Sequence, residues 1–119
     1  MVADKIYNLL PESLPRAIGD LPSAPDAIIA IMEYSNGAGT EYFGMSEDIS
    51  IYQPVVKIVA RTPSYEEGCN WMEQIKDILH RYHDDFFLSI LVVGTPIYLG
   101  RDTMKLHEFQ ITFKTQIKE

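Results

Sequence analysis

The segment QPVVKIVARTPSYEEGCNWMEQIKDILHRY, residues 53–82, runs from an apolar stretch into an amphipathic one with only Thr-Pro-Ser between them. Its first part alternates: Val56, Ile58 and Ala60 fall on one side of a strand, and Val55, Lys57, Val59 and Arg61 on the other. Its second part opens with Ser64 and Glu67, the Ser-x-x-Glu spacing with which a hydroxyl and a carboxylate satisfy orphan N–H groups at a helix start. From there Tyr65, Cys69, Met72, Ile75, Leu79 and Tyr82 recur every three or four residues, widened by Trp71 and Ile78, while Glu66, Glu73, Lys76 and Asp77 stay mostly outside that stripe. The reading is a strand followed by a helix over 64–82 that lies with one side on a sheet.

The flanks extend this unit. Residues 27–34, AIIAIMEY, and 86–94, FFLSILVVG, have the length and enrichment of buried strands. At the C-terminus, Phe109, Ile111, Phe113, Thr115 and Ile117 alternate with Glu108, Gln110, Thr112, Lys114, Gln116 and Lys118, a strand with one core face and one wet face. At about 3.3 Å per residue, 106–118 would extend about 40 Å, beyond the usual strand, a length that could serve to pair with a neighbour. Ahead of the first strand, DKIYNLL (4–10) can form a short helix that stops before Pro11. PESLPRAIGDLPSAPD (11–26), with four prolines and a glycine, reads as an ordered connector, and TPIYLGRDT (95–103) as turn-rich. The stretch SNGAGTEYFGMSEDIS (35–50) has three glycines and no periodicity, so it reads as a long flexible loop. The expected fold is α+β: a single domain over 1–119 with one mostly antiparallel sheet, covered on one face by the main helix, plus a short N-terminal helix.

At 119 residues the chain is the size of one domain. No stretch approaches the roughly 20 apolar residues of a membrane span. The N-terminus lacks the basic start and apolar run of a secretory signal, and the single cysteine, Cys69, cannot close an internal disulfide, so a reducing cytosol is the expected place of synthesis. The net charge is −7. Residues 1–60 carry eight acids against Lys5, Arg16 and Lys57, whereas 61–119 carry nine acids against seven bases. No clustered basic stripe is present to neutralise phosphates, which argues against tight nucleic-acid binding.

Candidate chemistry is sparse. His80, His83, Asp84 and Asp85 form the most metal-like cluster, yet they sit at a helix C-terminus, where cationic side chains complement the helix dipole and Asp-Asp makes turns. His107 is the one distant candidate for the further ligand a tetrahedral site requires. GAGTEYFG (37–44) lacks both the Gly-Lys-Ser/Thr ending and the GxGxxG spacing of phosphate loops. Cys69 lies on the apolar stripe, and Ser23, Ser64 and Ser89 have no local His–Asp context. No catalytic, cofactor or metal residue is assigned. Protein contact is the expected use of Tyr42, Phe43 and Met45 in the glycine-rich stretch, and of Arg61, Arg101 and Asp102 as charges that set register against another subunit.

LPSAPD (21–26) followed by IMEYSNGAG (31–39), QPVVKIVARTPSYEEG (53–68), GTPIYLGRD (94–102) and the terminal EFQITFKTQI (108–117) resembles the minor capsid or tail terminator (head-tail joining) family of long-tailed bacteriophages. The resemblance implies a structural virion protein, phage-borne or in a prophage, and not an enzyme. Such a protein assembles with itself, commonly as a six-membered ring, on the phage tail tube protein at the head-proximal end of the tail. There it ends tube polymerisation and offers a surface to a head connector or head-completion protein, with DNA only as passing cargo. The competing expectation is a small metal- or ligand-dependent enzyme using His80, His83 and Asp84.

Overall fold

A computed structural model of the chain describes residues 2–34, 51–52 and 54–118. The chain order is α1 (Val2–Leu9), β1 (Arg16–Ile18), β2 (Ile28–Tyr34), β3 (Ile51–Tyr52), β4 (Val55–Thr62), α2 (Tyr65–Leu79), β5 (Phe87–Val92), β6 (Ile97–Arg101) and β7 (His107–Lys118). Among the described residues the seven strands form one sheet. Only β1 and β2 pair in parallel; every other pairing is antiparallel. The architecture is therefore the expected α+β arrangement, with the sheet path running from β1 through β2 and β4 to β7.

Register decides which side chains meet. Ile31, Ile58 and Ile111 are directly opposed across β2, β4 and β7, as are Ile29, Ala60 and Phe109 two rows away on the same face. These rows, with Phe87 and Ile90 of β5, meet Trp71, Met72, Ile75 and Leu79 of α2 and Val2, Ala3 and Ile6 of α1 in one core. Burial of each large apolar side chain there contributes roughly 1.5–3 kcal/mol. Gly68 lets α2 approach this closely: a Cβ at that position would stand 2.0 Å from Cε1 of Phe109.

The helix start differs from a full capping box. The Ser64 hydroxyl accepts from the Glu67 N–H at 3.2 Å, but the Glu67 carboxylate accepts from the hydroxyl of buried Thr62, whose oxygen in turn accepts from the Ser64 N–H. Thr62 thus relays the second half of the box and ties the end of β4 to α2. The helix ends at Leu79 rather than 82, and Tyr82 follows it in the turn.

Three expectations are corrected. The connector contains a strand, β1, held against β2, and its Arg16 guanidinium caps the end of α1 through the carbonyls of Tyr7, Pro11 and Leu14. The turn-rich stretch contains β6, which pairs with β7 and carries a bulge between Tyr98 and Gly100; Gly100 takes φ +100°, a conformation L side chains rarely adopt. The long terminal strand is not spare. β7 is central, with β4 and β3 along one edge and β5 and β6 along the other, so its length serves four partners inside its own chain. The 35–50 stretch lies outside the described residues.

Candidate functional site

The histidine–aspartate cluster is consumed by local structure. His80 accepts the Val92 N–H on Nδ1 at 3.1 Å, joining the end of α2 to β5. Asp84 accepts from the N–H groups of Phe86 and Phe87 at 2.8 and 2.7 Å and from the Tyr82 hydroxyl at 2.8 Å. These bonds, the Phe87 N–H foremost, hold the Asp84 carboxyl below its ordinary range, and the same carboxylate pushes the Tyr82 phenol up. His83 is exposed. Among the described residues no group of three His, Cys, Asp or Glu side chains is placed to hold a metal ion.

Arg61 is only 8% exposed, and its guanidinium donates to the carbonyls of Pro25 and Asp26 at 2.6 and 3.2 Å. These bonds tie the end of β4 to the connector ahead of β2. Asp102 shapes a turn by accepting from the N–H groups of Met104 and Leu106 at 2.8 and 2.9 Å. Arg101 is exposed at the end of β6. Tyr42, Phe43 and Met45 lie outside the described residues.

What sequence reasoning missed is a border. On the edge where β5 and β6 flank β7, Leu91, Val93, Ile97 and Leu99 are each about half exposed, and Met104 follows. Leu91 is opposite Lys114 and Ile97 opposite Gln110, so both stand on the wet face of β7, away from the core. Contiguous exposed apolar side chains of this kind mark a docking surface more often than a ligand pocket. The signal in the sequence was the apolar density of 86–99, which a strand buried on both faces would equally show.

The core-facing side of the same border carries an aromatic cluster. Tyr65 meets Tyr98 edge to face at 5.0 Å and lies 5.5 Å from Phe109, and Tyr98 shares a 2.8 Å hydrogen bond with Nδ1 of His107. The expected inward position of Tyr65 on the helix stripe is corrected, since it is 51% exposed and stands at the helix start over β6. Its hydrogen bond with Cys69, then the nearby Cys69 group, desolvation and Tyr98, raise the Tyr65 phenol above its ordinary range. Tyr65, Cys69, Met72, Glu73, Pro96 and Tyr98 are among the residues that line an open slot of about 230 Å³. That is below the 300–1,000 Å³ usual for small-molecule sites.

No helix among the described residues is long and apolar enough to cross a membrane. Set against known families and curated proteins, the chain matches no family model and no curated sequence.

Proposed function

We propose that this chain is a structural assembly protein that closes with copies of itself into a ring on the head-proximal end of a phage tail tube, ends tube growth and presents a joining surface to the head. The observation that carries the reading is the apolar row Leu91, Val93, Ile97 and Leu99 along an open sheet border. Leaving such side chains in water has a use when another protein surface covers them. The residue order shared with tail terminator proteins supplies the place of action, and the role is that of a scaffold rather than an enzyme. A head-to-tail contact whose rotation closes yields a ring, whereas one that does not close yields a filament. The net charge of −7 suits a ring through which DNA passes, because like charges keep the polymer from adhering. Contact with the tube is assigned, on sequence alone, to Tyr42, Phe43 and Met45.

The test is genetic. In a phage or prophage encoding this chain, deleting it is expected to give tails of irregular length that fail to join filled heads, seen by electron microscopy. Joined virions with tails of normal length would overturn the proposal.

A further inference from the structure

Resting on the reading of the chain as a ring subunit, we infer that the ring is built by continuing the sheet: the β6 edge of one copy pairs antiparallel with the β1 edge of the next, and Ile18 of that next copy enters the slot beside Tyr98. Four observations converge on a second copy as the occupant of this border.

The first is the pair of open edges. Among the described residues no strand pairs with the outer side of β1 or β6. Unpaired strand edges are templates for another chain.

The second is level. Arg16, Ile29, Ala60, Phe109 and Tyr98 form one row across the sheet, and Ala17, Ala30, Val59, Gln110 and Ile97 form the next. β1 and β6 therefore lie at the same height on opposite borders. Within the chain they run antiparallel, because β1 is parallel to β2 and three antiparallel steps lead from there to β6. A copy set beside the first without inversion brings its β1 antiparallel to the first copy's β6, with core faces on the same side.

The third is shape. Ile18 is opposite Ile31, a core-facing residue, yet it is 48% exposed because β1 is the last strand. In the continued sheet it stands two rows from Tyr98, at the height of Pro96, on the face where the slot opens.

The fourth is charge. Exposed Glu12, Asp20 and Asp26 flank β1, whereas exposed Arg101, Lys105 and Lys114 lie along the β5–β6 border. Chains of net charge −7 repel one another, and a contact that brings these acids to these bases offsets that repulsion.

The native Cys69 lines the slot and is the only cysteine of the chain, which supplies a direct test. Ile18→Cys places a thiol on the face where the slot holding Cys69 of the neighbouring copy opens, so a cross-link between the two reports the edge pairing. After mild oxidation, non-reducing electrophoresis is expected to show a ladder of dimers, trimers and larger species, because each chain offers one thiol at each border. Adding Cys69→Ser should abolish the ladder. Independently, Ile97→Glu with Leu99→Glu should reduce the assembled fraction at least tenfold by light scattering, with an unchanged circular dichroism spectrum. Dimers that persist with Cys69→Ser, or a wild-type oligomer with no cross-link in Ile18→Cys, would overturn the edge pairing while leaving the ring reading standing. A wild-type chain that is monomeric at every concentration and on added tail tubes would remove both.

Discussion

Gly68 meets Phe109 across the helix–sheet interface, and the contact sets two effects against each other. Replacing glycine by alanine inside a helix normally gains about 1 kcal/mol. Here the added Cβ would overlap a ring carbon of Phe109, a core residue only 3% exposed, so overpacking governs the sign. Gly68→Ala is expected to destabilise by about 1–3 kcal/mol in urea denaturation; a stabilised variant would show that α2 sits farther from the sheet. Asp84 gives a pH signature. Its folded carboxyl is held low by the Phe87 N–H and then the Tyr82 hydroxyl, with the Phe86 N–H and Lys5 adding and desolvation opposing. A depressed carboxyl contributes stability that is complete above its unfolded value, near 4, and is lost as pH falls through the lower folded value. The melting temperature of Asp84→Ala should lie below wild type by a constant gap at neutral pH, and that gap should narrow only below about pH 4. A gap unchanged in acid would contradict the assignment. His83→Ala, at an exposed position, should change neither stability nor assembly; a defect rescued by added metal would restore the enzyme reading.

At the scale of elements, the hydroxyl of Thr62 joins β4 to α2. Thr62→Val should cost about 1–2 kcal/mol by removing the two hydrogen bonds its hydroxyl makes to Ser64 and Glu67, and Ser64→Ala about 1 kcal/mol by removing the cap. Chemical denaturation of both single variants and the double variant would measure the coupling; strict additivity would show that the two hydroxyls act separately. The elements legible in the sequence were those whose own pattern decides them. β4, α2 and the alternating β7 carry their periodicity within themselves, and Val56, Ile58, Ala60, Phe109, Ile111 and Phe113 all face the core as the pattern required. β1 and β6 were not legible, because Arg-Ala-Ile is too short to alternate and Ile-Tyr-Leu-Gly-Arg is broken by a glycine bulge. Both exist because β2 and β7 lend them partners, information that lies far away in the chain. Of the contact residues, Arg101 is exposed as expected. The bonds of Arg61 were not legible, because a strand arginine does not reveal in sequence that the carbonyls of Pro25 and Asp26 lie within its reach.

At the scale of the molecule, the two borders of the sheet differ in charge and shape, and that asymmetry is the proposed source of assembly. Reversing one border by Arg101→Glu with Lys105→Glu should weaken self-association about tenfold or more at low salt, and reversing the other by Glu12→Lys with Asp20→Lys should do the same. Mixing the two variants should restore contacts through their reversed borders, read as heterologous complexes by native mass spectrometry. The mass of the purified wild-type chain in solution, measured by light scattering over a hundredfold range of concentration, tests the central claim most directly. A single closed species at a fixed integer multiple of 13.6 kDa is the predicted result, and a particle of 13.6 kDa throughout, with or without tail tubes present, would contradict it.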